Sequence, residues 1–191
     1  VDTDAKGMAY EAMLRAYDWN NDEAEMAAAA GAGMLISNHS YGQVAGWNNS
    51  SGDWRWYGDV SISQVEDYSY GFYSRRAETW DRIAMNNPRY LICKAAGNDR
   101  GKNHAGTHEV LINNRWETST AERDTVGPYD CIATYAIAKN ILTVGAVRKI
   151  NDGWTKPSDV IMTSFSGWGP ADDGRIKPDV VAPGQDLRSS T

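Results

Sequence analysis

The chain has 191 residues, of which 41% are hydrophobic and 23% charged, and its formal net charge is −6. These totals fit one globular domain with a sizeable core and exclude a disordered chain. The acidic balance argues against a nucleic-acid partner, and no apolar stretch approaches the roughly 20 residues that a membrane span needs. Val1 is not a natural start, so we expect the chain to be a piece of a longer protein.

The first third of the chain predicts a strand, a helix and a second strand. Residues 13–19 have the composition of a strand, and residues 34–38 form a short apolar run. Between them, residues 23–30 are rich in alanine, with Asp22 placed to cap a helix and Gly31 placed to end it. A strand–helix–strand order favours parallel pairing of the two strands.

The rest of the chain repeats this order around two inserts. A helix is predicted over residues 73–86, and buried strands are predicted over 90–93 and 141–147. The inserts cover about 43–61, which is a surface loop by composition, and about 102–128, which has hairpin alternation around Asn113-Asn114. The predicted fold is α/β, with a largely parallel sheet, flanking helices and one domain over residues 1–191.

The first insert is unusually aromatic between Trp47 and Tyr57. Such rings stack on sugars or grip a peptide, but they also pack as a buried flap on the body of a domain. The sequence pattern leaves both interpretations open.

The histidines give weak signals of chemistry. His104 and His108 have the spacing of a zinc-binding helix, but Ala105 stands where such a helix needs glutamate, and Gly106 argues against a helix. We therefore favour a polar loop there and predict no metal site. His39 ends an apolar run, which is more typical of a hydrogen-bonded core histidine than of a catalytic base.

Two cysteines, Cys93 and Cys131, permit one disulfide bridge, but nothing in their context supports it beyond the even count. Cys93 lies inside an apolar run and is most simply a small buried residue.

The clearest candidate for chemistry is Asn98, which follows Ala95-Ala96-Gly97 directly after the strand predicted over 90–93. The carboxyl ends of parallel strands are where α/β sheets place ligands. A side-chain amide at that edge can donate a hydrogen bond to a developing oxyanion. Taken alone, the same residues also predict an ordinary Asn-Asp turn.

Four separated motifs together resemble those of the subtilisin-like serine proteases, the subtilases. They are Ile36-Ser37-Asn38-His39-Ser40-Tyr41-Gly42, Ala95-Ala96-Gly97-Asn98, Asn140-Ile141-Leu142-Thr143-Val144-Gly145-Ala146-Val147, and Ser164-Phe165-Ser166-Gly167-Trp168-Gly169-Pro170 with Lys177-Pro178-Asp179-Val180-Val181-Ala182-Pro183-Gly184. Their order and rough spacing match the family over most of the chain outside the two inserts.

The resemblance implies a serine endopeptidase that acts on polypeptides and is secreted or exposed at the cell surface. It implies that Asn98 is the oxyanion-hole residue and that Ser40, Tyr41 and Gly42 form an edge strand that pairs with substrate backbone. It makes Ala95, Ala96 and Gly97 a wall of the primary specificity pocket, where small residues leave room for a large apolar side chain. The family allows a bound calcium ion, but no site is indicated, and no cofactor is identified.

The departures from the family pattern concern the catalytic triad. The motifs of the catalytic Asp and His belong upstream of the region matched by residues 6–9, and the serine motif belongs downstream of residues 182–184. The motif from His104 to His108 resembles the family's histidine motif but lies on the wrong side of Asn98. The resemblance therefore implies the central part of a catalytic domain, inactive by itself and completed by the remainder of the domain.

Two further expectations follow from the resemblance. In the family's sheet, the strand that bears the catalytic Asp lies between the strands matched by residues 13–19 and 34–40. Without it, these two strands either close up or leave a gap with unpaired edges. The alternative function is a non-catalytic, subtilase-derived module that binds protein or glycan through Ser40–Gly42 or Trp47–Tyr57.

Overall fold

The computed structural model describes residues 7–123, 129–151 and 153–187. Its two α-helices are α1 (Asp22–Gly31) and α2 (Arg75–Asn86). In chain order, its strands are β1 (Ile36–His39), β2 (Trp47–Asn48), β3 (Arg55–Trp56), β4 (Leu91–Ala95), β5 (His108–Ile112), β6 (Arg115–Ser119), β7 (Leu142–Arg148) and β8 (Val180–Gln185). Across these ranges, no helix has both the length and the apolar character required to cross a membrane.

The main sheet has four strands in the order β1-β4-β7-β8, and every neighbouring pair is parallel. His39 is in register with Lys94, which in turn is in register with Thr143. The predicted α/β class, the parallel sheet and both helices are confirmed, with element bounds shifted by one or two residues. Apolar runs between turn residues were sufficient to identify the strands β1, β4 and β7.

One face of the main sheet packs on α1, α2 and a short 3-10 helix, Thr134–Ile137. Trp80 of α2 is fully buried there, and its ring stacks on Tyr135 at a centroid distance of 4.5 Å. The other face exposes apolar side chains, including Ile36, Leu91 and Val180. Parallel sheets are normally covered on both faces, so these side chains leave apolar surface of the second face open to contact.

The predicted strand over residues 13–19 is wrong. These residues lie outside both sheets, and Met13 and Leu14 are 96% and 92% exposed. An extended segment becomes a strand only where a neighbour satisfies its backbone groups, and the outer edge of β1 has no neighbour within the described ranges. Of the two expected outcomes, the structure therefore has the unpaired edge.

The predicted cap of α1 is also wrong. The N-cap residue is Asn21, with φ 59°, and its side chain makes no capping hydrogen bond. Asp22 is instead the first helical residue, and its carboxylate accepts a hydrogen bond from the Tyr41 hydroxyl at 2.9 Å.

The two inserts combine into a second, mixed sheet in the order β2-β3-β5-β6. The predicted hairpin is confirmed as β5 and β6, joined by Asn113 and Asn114 with φ of 49° and 62°. The loop prediction for 43–61 was wrong in part, because β2 and β3 lie within it. Trp47 and Trp56 are each 1% exposed and pack on Val110, so these two rings are buried against the second insert.

Candidate active site

The parallel main sheet brings the predicted site residues to one edge. β1 ends at His39 and runs into Ser40, while its neighbour β4 ends at Ala95 and runs into Ala96. Because His39 and Lys94 are in register, these two continuations leave the sheet side by side. Residues 40–42 and 95–98 therefore form two walls of the same carboxyl edge.

Asn98 is exposed at this edge, and its side chain has no hydrogen-bond partner in the described chain. The preceding Gly97 has φ 95°, a left-handed conformation that an L-residue with a side chain rarely adopts. The backbone thus turns sharply after β4 and presents an amide with free donors to solvent. A free neutral amide in this position can stabilise negative charge that develops on a ligand.

The wall from Ala95 to Gly97 is backed by the Ser166-Gly167 segment. The Gly97 carbonyl accepts a hydrogen bond from Gly167 N at 3.0 Å, and Ala96 is 2% exposed. A Cβ on Gly167 would lie 2.5 Å from the Ala96 carbonyl oxygen and 3.0 Å from that of Cys131. Glycine is required there because no side chain fits, and the tight contact holds the wall in place.

The opposite wall, Ser40 to Gly42, lies just beyond β1 rather than within a strand. Ser40 and Gly42 are exposed and Tyr41 is half-buried. Neither Tyr41 nor Gly42 makes a backbone–backbone hydrogen bond with the described residues. The backbone groups of Tyr41 and Gly42 are therefore free to hydrogen-bond with an added strand. Residues 40–42 are themselves not part of a strand.

A chain of side-chain hydrogen bonds runs along the helix-facing side of β1. Tyr90 donates to Ser37 Oγ at 2.6 Å, Ser37 Oγ lies 2.7 Å from His39 Nε2, and His39 Nδ1 lies 2.8 Å from the Tyr41 hydroxyl. Tyr41 must donate to the Asp22 carboxylate, which only accepts. His39 therefore carries its proton on Nδ1 and accepts from Ser37 at Nε2.

This chain has the contacts of a nucleophile and base, but its environment does not suit catalysis. His39 is 7% exposed and packs on the Trp80 ring at 4.8 Å. Burial, reinforced by nearby Lys94, lowers the pKa of His39 to about 4, so the ring is a weak base. The prediction of a hydrogen-bonded core histidine is confirmed. The alternation of Ser37, His39 and Tyr41 was the sequence signal for this chain.

A cavity of about 790 Å³ opens beside the Ser40–Gly42 wall, between the start of α1 and the start of α2. Tyr41 and Tyr135 line it together with charged side chains of both signs, Asp22 and Arg76 among them. The guanidinium of Arg76 donates to the Tyr135 hydroxyl. Sequence reasoning missed this cavity, because it forms between two helices that are separated along the chain.

The structure also places at this edge Lys94, for which the sequence predicted no role. Lys94 is 5% exposed, and its ammonium donates to the Ala95 carbonyl at 3.2 Å. A lysine inside an apolar run was the available signal, since lysine is almost never fully buried without a partner.

Of the remaining histidines, His108 is the first residue of β5 and His104 lies in the loop before it. His104 stacks on Trp54 at 4.8 Å, and His108 Nδ1 contacts the Gly106 carbonyl oxygen at 2.9 Å. Among the described residues, no three His, Cys, Asp or Glu side chains are grouped to hold a metal ion. Cys93 and Cys131 are both free thiols.

The fold and this edge define a class: an α/β protein with a candidate ligand site at the carboxyl end of a parallel sheet. A family model, that of the subtilase family of S8 peptidases, matches residues 2–191. The chain therefore belongs to the subtilase family, and the resemblance carried by its four motifs is confirmed.

Proposed function

We propose that residues 1–191 are the central portion of the catalytic domain of a subtilisin-like serine endopeptidase. The observation that carries this proposal is the exposed Asn98 amide, which has no internal partner and stands at the carboxyl edge of the sheet of a subtilase-family chain. A protein that only bound peptides would not need a free amide donor at this point.

Asn98 donates a hydrogen bond to the oxyanion that forms when the scissile carbonyl is attacked. Ser40, Tyr41 and Gly42 pair with the backbone of the polypeptide substrate, and Ala95, Ala96 and Gly97 form the facing wall. The free backbone groups of Tyr41 and Gly42 support the first role, and the tight packing of Gly167 behind Ala96 supports the second.

The chain by itself does not hydrolyse peptide bonds under this proposal, because the Asp, His and Ser of the triad come from the rest of the domain. Of the three histidines, His39 is buried in a satisfied hydrogen-bond chain, and His104 and His108 contact tryptophan rings of the second sheet. None of these environments suits a general base that must reach substrate.

The remainder of the domain is the proposed partner of this chain. The unpaired outer edge of β1 accepts a further strand, and the exposed apolar face around Ile36 and Leu91 accepts a covering layer. The exposed Met13 and Leu14 become buried in the same assembly. The family habit supports a secreted or cell-surface location for the whole protein.

The test compares a fluorophosphonate probe, which labels activated serines, on the full-length protein and on the 191-residue chain. We expect labelling of the full-length protein at a serine outside residues 1–191, and no labelling of the isolated chain. Ser37→Ala is the matched control, since Ser37 contacts His39 but should leave labelling of the full-length protein unchanged.

Two results would contradict the proposal. Labelling at Ser37 would mean that the buried hydrogen-bond chain is itself catalytic. A full-length protein that is folded but neither reacts with the probe nor cleaves a denatured protein substrate would favour the non-catalytic binding module. Trp47 and Trp56 are buried in the second sheet, so that module would bind through residues 40–42.

A further inference from the structure

Lys94 carries an uncompensated charge inside the fold. It is 5% exposed, and none of the ion pairs formed within the described ranges includes it. One of its three N–H donors is used by the Ala95 carbonyl, and the other two make no hydrogen bond within the described chain. A buried cation without a counter-charge is costly, which makes a functional role the better explanation for its position.

The ammonium of Lys94 lies between the two walls of the candidate site. It bonds to Ala95 on one wall and lies 4.0 Å from the position that a Cβ on Gly42 would take on the other. Thr134 Oγ1 lies 3.8 Å from the same position. Apart from the adjacent residues 41 and 43, no other atom of the described chain comes within 4 Å, so the ammonium and the hydroxyl face the space in front of Gly42.

The chemistry of this space differs from that of the small apolar wall alone. Ala95, Ala96 and Gly97 predicted room for a large apolar side chain, but an apolar group here would leave the ammonium desolvated and unpaired. A carboxylate would accept hydrogen bonds from both Lys94 and Thr134, and charge-assisted bonds of this kind are the strong ones. Burial lowers the pKa of Lys94 to about 8, so the group is still mainly protonated at neutral pH.

We propose that Lys94 is a specificity-determining residue that selects substrates with glutamate or aspartate at the residue on the acyl side of the scissile bond. This inference rests on the proposed function and adds the substrate class: polypeptides cleaved after acidic residues. The carboxylate is bound between Lys94 Nζ and Thr134 Oγ1, in front of Gly42.

The test uses the full-length protein and three internally quenched peptides that differ only at the acyl-side residue: Glu, its neutral isostere Gln, and Leu. We expect kcat/KM for the Glu peptide to exceed that for the Gln peptide by about tenfold or more, the loss expected when a buried charge is left without its partner. Lys94→Met should bring this ratio to about one, and Lys94→Arg should keep a preference for Glu. Lys149→Met, at an exposed lysine after β7, is the matched control and should keep the wild-type ratio.

The outcomes separate the two proposals. In one outcome, the full-length protein reacts with the probe and cleaves peptides but shows no preference for Glu over Gln, or prefers Leu. That outcome would overturn the role of Lys94 and leave the endopeptidase proposal standing. Absence of both labelling and cleavage would overturn the proposed function, and this inference with it. The ratio of kcat/KM for the Glu and Gln peptides in the wild-type protein tests the role of Lys94 even if a Lys94 variant fails to fold.

Discussion

The Tyr41 hydroxyl accepts a hydrogen bond from His39 Nδ1 at 2.8 Å and donates one to Asp22 at 2.9 Å. This relationship joins β1 to the first residue of α1 through a neutral imidazole. The ring donates a hydrogen bond from Nδ1 and accepts one at Nε2. A proton added at Nε2 would therefore prevent Ser37 Oγ from donating its hydrogen bond to this nitrogen. The connection between strand and helix therefore depends on the protonation state of one buried ring.

We predict that His39 makes the fold sensitive to acid. The pKa of His39 is lowered from 6.5 to about 4. The stability that neutral His39 contributes to the fold is therefore complete above pH 6.5 and is lost as the pH falls towards 4. A shift of this size corresponds to about 3 kcal/mol of unfolding free energy. Urea unfolding of the wild type and of His39→Gln should show a difference in unfolding free energy at pH 7, and this difference should narrow towards pH 4. The control His104→Gln keeps His39 and should lose stability towards pH 4 as the wild type does. A difference between the wild type and His39→Gln that stays the same from pH 7 to pH 4 would refute the prediction.

We predict that Lys94→Met stabilises the protein at neutral pH, by about 1–3 kcal/mol, because an apolar side chain of similar length replaces a buried cation without a partner. Burial lowers the pKa of Lys94 from 10.5 to about 8, so the cost of the charge is present below pH 8 and disappears as the pH rises towards 10.5. Thermal unfolding at pH 7 and pH 10 should show a gain for Lys94→Met that shrinks at the higher pH. Lys149→Met should show no gain at either pH, and a loss of stability for Lys94→Met at pH 7 would count against the prediction.

The sequence predicted the elements that local patterns define. Apolar runs located β1, β4 and β7, and Asn113-Asn114 located the hairpin because asparagine tolerates positive φ. The placement of Asn98 after a parallel strand followed from the same pattern.

Contacts between distant segments could not be predicted from the sequence. β3 pairs with β5 through Arg55 and Glu109, and β3 has only two residues, too few to show any periodicity. The strand predicted over 13–19 failed for the opposite reason: its composition suits a strand, but its pairing depends on a neighbour. The environment of Lys94 likewise depends on Gly42 and Thr134, which the fold brings to it from two other segments.

Asp81 should prove to be a main connection between α2 and the segment that leads into β7. Its carboxylate is 7% exposed and accepts from Lys139 N at 2.8 Å, Asn140 N at 2.6 Å and the Tyr73 hydroxyl at 2.6 Å. Asp81→Asn keeps the shape of the side chain but replaces one carboxylate oxygen, an acceptor, with an NH2 group. This new donor would face the N–H and O–H groups that donate to Asp81 in the wild type. We expect a loss of about 2–4 kcal/mol of unfolding free energy.

The control for Asp81 is Glu78→Gln on the same helix. Glu78 pairs with Arg82 at 2.6 Å, but both side chains are more than half exposed, so we expect a loss below about 1 kcal/mol. Chemical denaturation of the two variants should separate them clearly. Equal losses would mean that the buried contacts of Asp81 contribute no more than a surface ion pair.

Asn98→Ala distinguishes a catalytic amide from a structural one. Since Asn98 is exposed and has no hydrogen-bond partner in the described chain, its removal should leave the melting temperature unchanged. If its amide binds only the developing oxyanion, kcat of the full-length protein should fall roughly 10- to 100-fold with little change in KM, the effect of losing one charge-assisted hydrogen bond. Asn103→Ala, at an exposed asparagine of the second insert, should leave both constants unchanged. A raised KM with unchanged kcat would instead place Asn98 in ground-state substrate binding, because an interaction made equally in both states does not lower the barrier.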